Sequence, residues 1–336
     1  MSGPTAFVTG GTGFIGRLVV GELRQRGYHV RVLARDPRKF DGLFGGLEAV
    51  EAVPGDALDR RALFQGLRDV SLVFHLAGVT KAVRGADFRA GNQEACRALR
   101  ETIQLNDLRV ERVLHVSSLA AMGPSPTAEP PEDFDPPAPL SRYGCSKLAG
   151  ELEMQILRDS APVTVVRPPV VFGPADTDVF LFMRTVWRSF IPILGHDDKW
   201  VSLVFAPDLA RGMVDAALCP AAAGKAYYLC YPEPLRWSEF GALVADALGV
   251  KRRARRVPHA LLAAAAVFAE GWARLSRRPT ILNLDKYREG VQPYWVCSPR
   301  AARADFGFEP ACPPAEAVRR TVAWYREHGW LPPPSR

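Results

Sequence analysis

Thr9-Gly10-Gly11-Thr12-Gly13-Phe14-Ile15-Gly16 is the stretch that decides the fold. It follows directly on Ala6-Phe7-Val8, a short apolar run that reads as a buried strand. It leads into an amphipathic segment over residues 15–26, a helix ended by Gly27. The three spaced glycines have separate physical tasks. Gly10 makes the tight turn, Gly13 lets a pyrophosphate approach the backbone, and Gly16 lets helix and strand pack closely. The unpaired N–H groups at the helix start then hold the anion. Thr12, Phe14 and Ile15 belong to the same phosphate-binding turn.

Outward from this turn, short apolar runs alternate with amphipathic segments, the rhythm of a parallel sheet. Strands are expected at residues 29–33, 49–53, 72–76, 112–116 and 163–167, and helices at 88–106 and 141–160. Residues 123–139, rich in Pro, Glu and Asp, read as a loop beside the active site. The expected class is α/β: a Rossmann doubly wound parallel sheet flanked by helices. Residues 1–175 form the dinucleotide-binding domain and 176–331 mainly a smaller substrate-binding lobe. That lobe is interrupted by a return to the sheet near 201–230, with its strand at 226–229.

Composition supports a soluble globular chain of 336 residues, 48% hydrophobic and 24% charged. The formal net charge of +7 raises the question of nucleic acid, but no nucleic-acid motif accompanies the two basic runs at 251–256 and 274–278. No nucleic-acid partner is expected. Six cysteines lie far apart without a CxxC pair or a histidine at ligand spacing, which suits a reducing compartment and points to no metal. The first residues lack the apolar core of a signal peptide, and no run reaches transmembrane length. The expected location is the cytoplasm.

The second strand runs out into Ala34-Arg35-Asp36-Pro37-Arg38-Lys39. A ribose carboxylate is wanted near this strand end for NAD, and a cation for the 2′-phosphate of NADP. Arg35, helped by Arg38 or Lys39, favours NADP(H), and NAD(H) is the alternative. Asp36 complicates the choice, because it can turn back toward a ribose. Arg38 and Lys39 read equally well as plain surface charge.

Tyr143-Gly144-Cys145-Ser146-Lys147 begins a helix, so Tyr143 and Lys147 lie one turn apart on one face. Making a free tyrosine, of pKa near 10, into a base near neutral pH takes about 4 kcal/mol. An ammonium one turn away and a cationic nicotinamide ring supply much of that. Lys147 also reaches a nicotinamide ribose. Ser118, at the end of the fifth strand, is placed to polarise a substrate oxygen, although it reads as a turn cap too.

On these residues the chain resembles an extended short-chain dehydrogenase/reductase, the superfamily of NAD(P)-dependent epimerases and dehydratases. The resemblance covers nearly all of the chain and implies that Ser118, Tyr143 and Lys147 are catalytic, with Asn92 a fourth candidate. It implies cofactor contacts at Asp56 and Ala57 near the adenine and at Leu76, Ala77 and Gly78 in the turn over the cofactor. Lys81, Pro168 and Val170 belong to the implied set as well. Residues 205–210 (FAPDLA) and 305–310 (DFGFEP) are similar to further family segments. Val170 stands where nucleotide-sugar enzymes carry Asn, which weakens an epimerase reading. The sequence around Arg35 is similar to dihydroflavonol reductases, and residues 172–178 and 292–310 to 3β-hydroxysteroid dehydrogenase-like members.

The favoured function is therefore an NADP(H)-dependent interconversion of alcohol and ketone on a bulky, mostly apolar substrate, sterol-like or dihydroflavonol-like. A nucleotide-sugar epimerase or dehydratase, and a non-catalytic NADP-binding regulator, are the alternatives. Val179, Phe180, Phe182, Met183 and Trp187 read first as core and second as pocket wall. The resemblance suggests a homodimer through helices at 88–106 and 142–158. Residues 251–278 combine a basic run with an alanine-rich apolar segment. They read as a helix packed on the lobe or, less favoured, as a weak peripheral membrane contact.

Overall fold

Seven parallel strands form the central sheet in a computed structural model that describes residues 3–130, 136–276, 280 and 283–333. The order across the sheet is Ala226–Tyr227, Val163–Val166, Arg112–Val116, Leu72–His75, Thr5–Thr9, His29–Ala34 and Val50–Pro54. Thr5–Thr9 pairs with His29–Ala34 on one side and with Leu72–His75 on the other. Chain order reverses there, so a crevice opens beyond the carboxyl ends of these strands, at the switch point where doubly wound folds take ligands.

Each face of the sheet is covered by helices. Gly16–Gln25 and Ala206–Leu218 bury Val19, Leu23, Leu209 and Met213 on one side. Arg60–Leu67, Ala95–Leu105 and Arg142–Ile156 bury Leu63, Leu99, Ile103 and Met154 on the other. Two short helices, Pro37–Phe44 and Arg60–Leu67, have no counterpart in the sequence reading. Asp36 and Asp59 start them by accepting backbone hydrogen bonds from the residues two and three positions on.

Two expectations change. The helix expected at 88–106 is three pieces: Gly85–Phe88, a π-helical turn at Arg89–Glu94, and Ala95–Leu105. The widened turn carries Asn92 inward, where its amide bonds both the N–H and the C=O of Val79, at 2.8 and 3.0 Å. The return near 201–230 is made by the helix Ala206–Leu218 and the edge strand Ala226–Tyr227, which stops short of 229. Leu203–Phe205 pairs instead with Val170–Phe172, outside the main sheet.

Asp178–Arg188, Trp237–Leu248 and Pro314–Glu327 enclose a second core around Met183, Phe240 and Tyr325. Val179, Phe180, Phe182 and Trp187 pack into it, so the core reading of this group holds. Asp208, in the FAPDLA segment, accepts from Ala311 N at 2.9 Å and Cys312 N at 3.3 Å. The FAPDLA segment thus latches to the two residues just after DFGFEP, across about a hundred residues of chain. Of the loop at 123–139, residues 131–135 lie outside the described residues, as do Arg277 and Arg278 of the second basic run and Pro334 at the end.

Candidate active site

The glycine turn has the shape its sequence demands. Gly10 has φ +72°, and a Cβ there would lie 2.7 Å from the backbone N of Ala77. Any side chain at this position would push the first strand's turn away from the Leu76-Ala77-Gly78 turn. Thr9 fastens the same junction: its Oγ1 accepts from Ala77 N at 3.2 Å and pairs with His75 Nδ1 at 2.8 Å. The backbone N–H groups at the start of Gly16–Gln25, beside this junction, are the ones that would hold a dinucleotide pyrophosphate.

At the adenine end, Asp36 accepts from Arg38 N at 3.0 Å and Lys39 N at 3.4 Å. Its Oδ1 thus serves as the cap of Pro37–Phe44. Arg35 is 79% exposed and has its Nε 3.8 Å from Asp56 Oδ2. Asp56 also accepts from Leu58 N at 3.0 Å. A cation and a carboxylate therefore stand side by side at the ends of the second and third strands.

Ser141 caps the helix Arg142–Ile156 by accepting from Gly144 N at 2.9 Å. Tyr143 sits in the first turn, where the helix dipole favours negative charge. Gly144 lets this turn meet the Ser118 turn: a Cβ there would lie 2.3 Å from the Ala120 carbonyl oxygen. Ser118 caps that turn by accepting from Ala120 N at 3.2 Å, so its cap reading is correct. Its hydroxyl also lies near enough to the Tyr143 phenol to lower that group's pKa. Burial pushes the Tyr143 phenol up, while the nearby Ser118 hydroxyl and the Lys286 ammonium pull it down. Lys147 is buried and donates to the Val116 carbonyl at 2.6 Å. Burial lowers its pKa. A Cβ on Gly78 would lie 3.6 Å from Lys147 Nζ and 2.9 Å from Asn92 Oδ1, so the turn over the cofactor abuts both residues. Asn92 also donates to Ser146 Oγ at 2.8 Å, and Ser146 donates to the Tyr143 carbonyl at 2.7 Å. The structure thus brings Ser118, Tyr143, Lys147 and Asn92 into one cluster beside the glycine turn.

Residues 6–230 match the model of the NAD dependent epimerase/dehydratase family. The chain belongs to that family. It is an NAD(P)-dependent oxidoreductase of the extended short-chain dehydrogenase/reductase type. It is 32% identical over 327 residues to "Ceramide reductase" of Caulobacter vibrioides, covering 97% of this chain and 95% of the relative. It is 24% identical over 348 residues to "3beta-hydroxysteroid-dehydrogenase/decarboxylase isoform 1" of Arabidopsis thaliana, covering 94% and 78%. Among solved structures, an epimerase from Methanothermobacter thermautotrophicus superposes with a TM-score of 0.79 at 22% identity, covering 98% of this chain and 94% of that one. The last comparison shows the fold alone.

Other expected members of the family site fall as follows. Pro168 accepts from Leu119 N at 2.9 Å, which ties the Ser118 turn to the strand Val170–Phe172. Val170 is half-buried and packs against the second core. Lys81 is bound to Asp178 at the first turn of Asp178–Arg188 and faces the lobe. Thr12, Gly13, Phe14 and Ile15 lie in the phosphate turn, half-buried, and Gly16 is buried beneath it. Ala57 is half-buried beside Asp56, and Lys39 is exposed.

A whole element of the site was not anticipated. Asn283 caps the short helix Leu284–Gly290, and three of its residues reach the catalytic helix. Asp285 accepts from Arg142 Nε at 2.7 Å, Glu289 accepts from the Ser141 hydroxyl, and Lys286 Nζ lies 5.5 Å from the centre of the Tyr143 ring. Lys286 is itself paired with Glu289 at 2.7 Å.

Behind the site, the ligand atoms of His75, Cys96 and His115 lie within 4.8 Å of one another, a grouping invisible in their sequence spacing. Both histidines have an Nε2 without a hydrogen-bond partner in the structure. Burial and the Lys147 charge push His75 down to about 3 and hold His115 well below the usual histidine range. The same positive charge opposes a metal cation, so the cluster reads as neutral core beneath Lys147.

Proposed function

We propose that the protein is an NADP(H)-dependent reductase that interconverts a ketone and an alcohol on a bulky, water-poor substrate. The observation that carries this reading is the contact of the Ser118 turn with the first turn of the Tyr143 helix, directly beside the glycine turn. NADPH, when bound, supplies the hydride. Ser118 would donate a hydrogen bond to the carbonyl oxygen, and Tyr143 would deliver its proton to that oxygen. Lys147 would hold the nicotinamide ribose and, by its charge, ease loss of the phenol proton. Asn92 and Ser146 fix the helix against the turn over the cofactor and so position Tyr143.

Arg35 supports the phosphorylated cofactor, since Asp36 is taken up as a helix cap. Val170, apolar and packed on the second core, supports an apolar substrate over a nucleotide sugar. The relatives named for ceramide and 3β-hydroxysteroids extend the substrate class to lipids carrying a ketone or a secondary alcohol. A homodimer is part of the same reading, because Leu105, Leu152 and Ile156 are exposed on the two helices expected to pair. The deciding experiment follows NADPH absorbance with keto-lipids, keto-sterols, flavonoid-like ketones and nucleotide sugars. Turnover of an apolar ketone with NADPH is the expected result. Turnover confined to nucleotide sugars refutes the proposal.

A further inference from the structure

The helix His259–Ser276 is turned inside out. A surface helix of a globular protein puts its apolar stripe toward the core and its charges toward water. Here the side that meets the protein carries Ala266, Glu270 and Ala273, all buried. The side that meets water carries Leu261, Ala264, Ala265, Phe268, Trp272 and Leu275, at the three- and four-residue spacing that keeps them on one face. Phe268 is 76% and Leu275 79% exposed. Among the described side chains this outer row has no charged member. A contiguous large apolar face in water marks a binding surface.

The neighbouring charge says what binds it. The strand Ala254–Val257 leads into the helix through Pro258. Lys251, Arg253, Arg255 and Arg256 are exposed along this approach, and none of them is ion-paired to an acid among the described residues. Arg252 is the exception and anchors the run, donating to the carbonyls of Val186 at 2.9 Å and Trp187 at 2.6 Å. An apolar stripe preceded in the chain by cations without acidic partners, with a tryptophan in the stripe, is the chemistry of an anionic bilayer interface. No helix among the described residues is long and apolar enough to cross a membrane, so the contact is one of lying on the surface.

We propose that His259–Ser276, with the cationic strand before it, docks the protein on an anionic lipid surface. The docked helix reaches the active site through Glu270. Glu270, on its inner side, lies 3.5 Å from Arg142 at the start of the catalytic helix. It also accepts from Leu284 N at 3.3 Å, at the start of the helix that carries Lys286. A substrate that partitions into the bilayer therefore meets the protein at the edge of its own active site. The docking rests on this helix and not on the proposed reaction, and vesicle binding is measured without turnover, so the two fail separately.

The experiment is co-sedimentation of the full chain with phosphatidylcholine vesicles, with and without phosphatidylglycerol. We expect binding only to the anionic vesicles, weakened by salt, and a blue-shifted emission component that Trp272→Phe removes. Phe268→Glu with Trp272→Glu should lower the partition coefficient by about tenfold or more, since two inserted aromatics are lost. Arg253→Ala with Arg255→Ala and Arg256→Ala should lower it on anionic vesicles, a second arm that leaves the apolar face intact. Circular dichroism and NADPH binding verify that each variant is folded. Absence of binding to anionic vesicles at low salt overturns the proposal, as does binding that neither set of changes weakens. A sedimentation-velocity dimer that Phe268→Glu converts to monomer also overturns it, by assigning the face to a second copy of the chain.

Discussion

Arg35→Ala isolates the choice of cofactor. The guanidinium stands at the end of the strand His29–Ala34, 79% exposed, 3.8 Å from Asp56. A pair that open to water is worth about 0–1 kcal/mol, so the arginine leaves it at little cost. A charge-assisted hydrogen bond to a 2′-phosphate is worth about 1.5–3 kcal/mol. The difference, about 1–2 kcal/mol, corresponds to weakening of NADP binding by roughly tenfold in the variant. NAD has no phosphate at that point, so its affinity should change by less than about twofold. Asp56→Asn is the control: it removes the carboxylate that competes for Arg35 and repels the phosphate, and should tighten NADP binding. Titration calorimetry with both cofactors on the three proteins measures all of this. Wild-type protein that binds NAD more tightly than NADP, or a variant that weakens both cofactors equally, refutes the reasoning.

Tyr143→Phe removes a single oxygen, so cofactor affinity should hold while turnover falls by about a hundredfold or more; a variant keeping a tenth of wild-type rate excludes Tyr143 as the proton donor. Lys286→Met removes a charge that lowers the Tyr143 pKa, so the midpoint of the pH–rate profile for alcohol oxidation should move to higher pH, and an unmoved midpoint shows that Lys286 acts only in packing. Leu152→Glu should turn the expected dimer into monomer in sedimentation velocity, and a wild-type monomer removes that expectation. Acid stability follows from the two buried histidines, whose folded pKa values are depressed, that of His75 from 6.5 to about 3. The unfolded chain then binds more protons, so their contribution is complete above about pH 6.5 and declines as pH falls, for His75 by about 1.4 kcal/mol per unit down to about pH 3; Asp176, whose carboxyl burial raises to about 6, opposes this in part below about pH 6, and urea midpoints that rise from pH 7 to 5 contradict the histidine effect.

The sheet and the glycine turn were legible because their signals are local. A strand, a turn that only glycine permits, and a helix start occur within a dozen residues, and Tyr143 and Lys147 are one helical turn apart. The π turn at Asn92 was not legible, since its cause is not local. What displaces it is a bond to Val79, thirteen residues away. Lys286 was less legible still. It meets Tyr143 only because Asp285 and Glu289 bind Arg142 and Ser141 across more than 140 residues of chain. No spacing rule reports such a contact. The difference has a physical basis. Proton transfer needs groups fixed relative to one another, and a single helix turn fixes them, so the reacting residues sit in local motifs. The charges that tune Tyr143, those of Lys286 and Glu289, come from the helix Leu284–Gly290, which packs against the exposed apolar helix. Glu270 ties that exposed helix both to Arg142, at the start of the helix that carries Tyr143, and to Leu284 N, at the start of the helix that carries Lys286.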